Sequence, residues 1–181
     1  MRQYYYKKRM ALIFCFLITS LGVLRSQELP IFDIARNGTL EELKSAIKEN
    51  PNSINTENDT GYTPLALACY YGNNEVAKYL IDRVQNIDAT SNYGTPLMAA
   101  TIKNNKELVT LLLKKDVNVN ISDPNGTTAL HYAVIFNFEE IAVLLIKAQA
   151  DTTLKDNRGN SALDYAKLSG RQKIIQLLKQ Q

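Results

Sequence analysis

Residues 126–137 read "GTTALHYAVIFN", and close copies of this stretch recur along the chain. "GYTPLALACYYG" occupies residues 61–72, "YGTPLMAATIKN" residues 93–104 and "GNSALDYAKLSG" residues 159–170. Aligned on the hydroxyl residue before Pro-Leu or Ala-Leu, the copies fall at Thr63, Thr95, Thr128 and Ser161, with steps of 32, 33 and 33. A weaker copy, "LPIFDIARNG", begins at Leu29, 34 residues before Thr63. A period of this size marks a chain built from stacked units, and it fixes the fold before any single element is considered.

Each unit carries the signals of two helices. Pro64 and Pro96 suit a first helical turn, where the missing N–H costs nothing, and Thr63 and Thr95 before them suit N-caps. The shorter run places Leu65, Ala68 and Cys69 together on the first helix. A second apolar run follows in every unit: "EELKSAI", "NEVAKYLI", "KELVTLLL", "EEIAVLLI" and "QKIIQLL". Val76, Ala77, Leu80 and Ile81 share one helical face. Gly38, Gly72, Asn104, Asn137 and Gly170 stand between the helices, where positive φ is expected at a helix end. Between units lie "ENDTG", "SNYG", "DPNG" and "DNRG", the chemistry of tight reversals. The expected architecture is all-α, a solenoid of five helix-turn-helix units joined by hairpin-like turns. No unit buries its apolar faces alone, and stacking makes one continuous core. Ala68, Ala100, Ala133 and Ala166 let neighbouring helices approach closely.

"GYTPLALACYYG", "GTTALHYAVIFN" and the linking "NIDA" and "NVNI" resemble the ankyrin-repeat family across about 150 residues, from Leu29 to the C-terminus. The expected organisation is a signal over residues 1–26, then repeats at 28–58, 59–91, 92–123, 124–156 and 157–181, the outer two being end caps. Departures are visible. Gly94 directly precedes Thr95, so one turn residue is missing. Ala66, Met98 and Asp164 replace the family's histidine, so its hydrogen bonds are expected to be missing in those three repeats.

His131 is the chain's single histidine. The resemblance implies that its imidazole bonds Thr128 and the turn backbone. A catalytic or metal role would need a nucleophile, an orienting carboxylate or further ligands nearby, and none is spaced to supply them. Cys69 is expected to be a small buried filler. The adjacent Glu139 and Glu140 read as charges favourable to a helix N-terminus, and Lys114 and Lys115 as a solvated helix end. "DPNG" lacks the oxygen ligands of a calcium loop. No phosphate-cradling glycine loop follows a strand. No enzymatic activity, metal or cofactor is expected.

The N-terminus has different chemistry. Arg2, Lys7, Lys8 and Arg9 precede the uncharged run Ala11 to Leu24, followed by Arg25, Ser26 and Gln27. A basic start, a short apolar run and a small residue read as a secretory signal. Cleavage is expected after Ser26, with Gly22 second; an uncleaved anchor over residues 11–24 is the alternative. Removing residues 1–26 takes five of the 21 basic residues and none of the 18 acidic ones, leaving a formal −2. The basic balance thus belongs to the signal, and a nucleic-acid partner loses its electrostatic support. The exported form, periplasmic or secreted, keeps one cysteine and forms no internal disulfide. Asn37, Asn58, Asn120 and Asn125 open glycosylation-type triplets, each a weak signal.

The resemblance implies a protein-binding surface made of turn tips and the inner helix face. At the matching positions stand Tyr62, Tyr70, Tyr71, Tyr93, Ile102, Ile135 and Phe136, with Lys103 and Arg158 at the rim. Apolar side chains at solvent-facing positions point to a surface that something covers, and aromatics at its middle are typical anchors. The expected partner is another protein, not a nucleic acid or a small substrate, and a membrane only if the N-terminal run is retained. Small exported bacterial members of the family include some that resemble immunity or enzyme-protecting proteins.

Overall fold

The computed structural model describes residues 30–179. Among the described residues ten α-helices follow one another: α1 (Pro30–Asn37), α2 (Leu40–Glu49), α3 (Pro64–Tyr71), α4 (Asn74–Ile81), α5 (Pro96–Ile102), α6 (Lys106–Leu113), α7 (Ala129–Ile135), α8 (Glu139–Lys147), α9 (Ala162–Leu168) and α10 (Gln172–Lys179). A 3₁₀ turn, Pro51–Asn55, links the first pair to the second. The odd-numbered helices pack in one row, each on the next, and the even-numbered helices form a second row behind them. Chain order therefore alternates between layers, and every helix meets its own partner and its counterparts in adjacent units.

The core lies between the two rows. Leu65, Leu80, Leu108, Leu112, Leu130 and Leu145 are all fully buried. Each contributes about 1.5–3 kcal/mol relative to an exposed position. Ala68, Ala100, Ala133 and Ala166 are completely buried along the inner row, where a larger side chain would push adjacent helices apart. Ion pairs tie the outer row across unit boundaries: Lys78 to Glu107 at 2.6 Å, Lys106 to Glu140, and Lys173 to Glu139 at 3.6 Å. Lys115, read as solvated, pairs with Asp82 at 2.7 Å. Such exposed pairs contribute little each, up to about 1 kcal/mol.

Capping follows the sequence signals. Thr63 and Thr95 accept the N–H of Ala66 and Met98 at 3.2 and 3.3 Å. Gly72, Asn104, Asn137 and Gly170 end their helices with φ between 54° and 74°. Gly38 does not: it is absent from the left-handed region, and its role is close approach. A Cβ there would stand 2.6 Å from the Ile34 Cα. Asp116 and Gln149 adopt φ of 53° and 64° after α6 and α8, without a glycine. Among the described residues the linking turns form isolated bridges only: Ser91 with Gly94, Ser122 with Thr128, and Lys155 with Ser161. The shortened turn closes as a reciprocal Ser91–Gly94 pair, both N···O distances 3.1 Å.

One expectation fails informatively. Asp164 was expected to leave the histidine's hydrogen bonds unmade. Instead its Oδ2 accepts from the Ser161 N–H at 3.0 Å and from the Ser161 hydroxyl at 2.7 Å, and its own N–H donates to Ser161 Oγ. A carboxylate three residues past the cap reaches back as a capping box requires. Ala66 and Met98 have no side-chain acceptor for this, and the expectation stands for them.

The expected signal at 1–26, its cleavage and its anchor alternative lie outside the described residues. No described helix is long and apolar enough to cross a membrane.

Candidate binding face

Two rows of side chains run along the exposed ends of the inner helices. Seven residues after each N-cap stand Tyr70, Ile102, Ile135 and Leu168. Eight residues after stand Tyr71, Lys103, Phe136 and Ser169. A period of one unit places equivalent residues side by side, so the first row is an apolar stripe. Tyr71 is 51% exposed, Phe136 46% and Leu168 76%, while Ile102 and Ile135 are half-buried.

The turn tips add a second wall. Tyr62 and Tyr93, from successive turns, stack with ring centroids 5.0 Å apart and planes 6° from parallel. Tyr62 is half-buried by this contact, and Tyr93 remains 59% exposed. Burial pushes the Tyr62 phenol up to about 12, helped by the neighbouring hydroxyls of Tyr93, Tyr70 and Tyr71. The phenol is therefore neutral at any physiological pH. Tyr70 meets Tyr71 edge-on at 5.5 Å, and the Lys103 ammonium stands 4.7 Å from the Tyr70 ring centroid. Tyr132 and Phe136 lie nearly parallel at 6.2 Å, and Phe136 also meets Phe138.

Between these walls is a cleft of about 450 Å³. Tyr62, Tyr70, Tyr93 and Ile102, all named from sequence, line it together, with Ala99, Tyr132 and Asp123. Ile135, Phe136 and Lys103 lie outside the lining, further along the inner-helix ends. Arg158 is exposed on the last turn, away from the cleft. Sequence reading passed over Ala99, Tyr132 and Asp123. The signal was present in part: an Asp precedes a Tyr by nine residues at Asp123/Tyr132 and again at Asp156/Tyr165.

That pair has a definite structure. Asp123 accepts the backbone N–H groups of Asn125 and Thr127 at 2.8 and 2.9 Å and the Tyr132 hydroxyl at 2.6 Å. Asp156 repeats the arrangement with Arg158, Asn160 and Tyr165. Burial alone would raise the Asp156 carboxyl, but the hydrogen bonds from Tyr165, Asn160 and Arg158 outweigh it and hold the group below the ordinary range. Burial, and the bond to Asp123, raise the Tyr132 phenol.

His131 sits behind this face. Its Nδ1 accepts the Thr128 N–H at 3.2 Å and lies 2.9 Å from the Thr128 hydroxyl. With Nδ1 accepting, Nε2 carries the proton and donates to the Asn160 carbonyl at 3.2 Å. Both nitrogens are engaged: Nδ1 caps the helix within unit four, and Nε2 fastens unit four to unit five. Cys69 is completely buried, and burial raises its thiol to about 12. Among the described residues no three His, Cys, Asp or Glu side chains are grouped to hold a metal ion.

A family model for ankyrin repeats in three copies matches residues 31–123 and 116–181. The chain belongs to the ankyrin-repeat family. It is 35% identical over 101 residues to the "Ankyrin repeat and SAM domain-containing protein 6" of Mus musculus, covering 55% of this chain and 11% of that one. It is 34% identical over 108 residues to the "Ankyrin repeat-containing protein C6C3.08" of Schizosaccharomyces pombe, covering 55% and 45%. Over 75 residues it is 41% identical to the "Ankyrin repeat and KH domain-containing protein mask" of Drosophila melanogaster, covering 41% and 2%. The chain thus spans less than half the length of each of these relatives. Ankyrin repeats are protein–protein interaction modules, and the aromatic face is where this one differs from a merely polar surface.

Proposed function

We propose that this ankyrin-repeat chain is an exported, non-enzymatic interaction module that grips one protein partner through the inner-helix and turn-tip face of repeats two to four. The observation that carries the reading is the clustering of exposed rings, Tyr70, Tyr71, Tyr93 and Phe136, on that single face. Exposed aromatics gathered around a cleft are the usual anchors of a protein interface. Lys103 at its edge adds charge complementarity. The reading as a non-enzyme is supported by the engagement of both His131 nitrogens and by the deep burial of Cys69.

Export is supported by the basic start and the apolar run Ala11 to Leu24. Arg25, directly after the run, favours the alternative of a retained anchor. Mass spectrometry of the extracytoplasmic form separates them: export with cleavage gives Gln27 or its cyclised form at the terminus, whereas an intact Met1 on a membrane-bound chain supports the anchor. Some small exported members of the ankyrin-repeat family resemble immunity or enzyme-protecting proteins, and that is the class of partner to test first.

Crosslinking in the native compartment, followed by affinity measurement of the captured protein, tests the binding face. The double variant Tyr70→Ala/Tyr71→Ala should bind at least ten-fold more weakly with its helical spectrum unchanged. Equal affinity of variant and parent would remove the site.

A further inference from the structure

Repeat three lacks something that repeats four and five have. In those two an aspartate on the turn leading into the repeat and a tyrosine on its inner helix are hydrogen-bonded, Asp123 to Tyr132 at 2.6 Å and Asp156 to Tyr165 at 2.5 Å. The matching position on the turn leading into repeat three is Ser91, whose Oγ accepts the Tyr93 N–H as Asp123 accepts that of Asn125. The inner-helix position, four residues after the N-cap, is Ala99 where its successors are Tyr132 and Tyr165. Acid and ring are both truncated. The vacated ring position lies in the cleft of about 450 Å³, walled by Tyr93 stacked on Tyr62 and by Tyr70 and Tyr132.

The charge of this cleft has one sign. Among the described residues Asp123 is the only charged one in its lining, and no lysine or arginine of them lines it. Tyrosine ring faces present the negative side of their quadrupole to a cation. The Asp123 carboxylate already accepts three hydrogen bonds, so its charge acts on an occupant through the field, while Asn92 and Asn125 at the edge offer amide carbonyls as acceptors. Lys103, just outside, already holds an ammonium over Tyr70.

We propose that the cleft of repeat three receives an arginine side chain of the partner protein. A guanidinium is planar and stacks where a phenol ring lies in the neighbouring repeats. It is more weakly hydrated than an ammonium, and its five donors match the neutral acceptors around it. This assignment rests on the proposed partner-binding face and specifies its central anchor.

The test is an NMR titration of the full chain with capped Gly-Gly-X-Gly-Gly peptides, X being Arg, Lys, Tyr, Leu or Glu. The Arg peptide should shift the amides of Gly94, Ala99 and Ile102, binding at least three-fold more tightly than the Lys peptide and ten-fold more tightly than the Leu or Glu peptides. Ala99→Tyr, which restores the ring of the adjacent repeats, should abolish these shifts. Tyr93→Ala, at an exposed position, should weaken them several-fold whether or not the first variant folds. Lys103→Ala removes a competing cation and should strengthen Arg binding about two-fold. A Tyr or Leu peptide that binds as well as Arg overturns the assignment, as does an absence of cleft shifts with every peptide. Either result leaves the wider binding face standing if Tyr70→Ala/Tyr71→Ala still loses its captured partner. Equal affinity of that double variant and the parent would instead remove the face itself.

Discussion

His131 and Asn160, 29 residues apart, are joined by a hydrogen bond from the imidazole Nε2 to the backbone carbonyl, 3.2 Å long. With the Thr128 contacts it makes one buried side chain both a helix cap and a fastener between repeats. His131→Ala strands the Thr128 N–H, removes one of the two hydrogen bonds to the Asn160 carbonyl, which keeps the Asp156 N–H, and opens a cavity, at a cost of about 2–4 kcal/mol. His131→Gln can still cap and donate, so it should recover roughly half of that loss. Urea unfolding followed by circular dichroism measures both.

Asp156 couples stability to pH. Its carboxyl is held below the ordinary range despite burial, because Tyr165, Asn160 and Arg158 donate to the charged form. Asp164 and Glu42 are lowered too, by the Ser161 and Thr39 capping bonds. A folded-state value below the unfolded one means that the unfolded chain binds more protons. The stabilisation is therefore complete above the unfolded value of about 3.9 for aspartate and is lost as pH falls through the folded one. Thermal melts should hold steady from pH 7 to 5 and fall steeply below about 4. Asp156→Asn should be less stable than the parent at pH 7 and show a shallower acid slope.

Thr101 is completely buried on α5, and its hydroxyl has no hydrogen-bond partner among the described residues. Val134 occupies the equivalent place in the next repeat. Thr101→Val removes an unpaired polar group while keeping the shape, so it should stabilise the chain by about 1 kcal/mol. A midpoint equal to or below that of the parent in urea would count against this reading of the site.

Cys69, with its thiol raised to about 12 by complete burial, presents almost no thiolate at pH 8. Peptide mapping after brief maleimide treatment should find Cys69 unlabelled in the native chain and fully labelled in denaturant.

Much of the fold is legible in the sequence because the period reports stacking directly. A Thr before Pro-Leu fixes the cap, and a Gly or Asn fixes the end of the helix. What escaped reading depends on side-chain geometry within a unit and on contacts between units. Asp164 looks like a lost histidine until its carboxylate is seen turned back onto Ser161. Gly38 looks like a left-handed cap, yet it serves the close approach of Ile34. At the binding face, tyrosines at solvent-facing positions could be named in advance. The cleft could not, because it is made by what repeat three lacks, Ser91 and Ala99 against Asp and Tyr in the next two. The stacking of Tyr62 on Tyr93 was equally hidden, since the two rings belong to different turns.

Hydrogen exchange of the chain, free and bound to its captured partner, tests the central claim most directly. The account predicts added protection at the turn tips around Tyr62 and Tyr93 and at the ends of α3, α5 and α7, with the outer helices α4, α6 and α8 unchanged. Protection confined to the outer helices would contradict it.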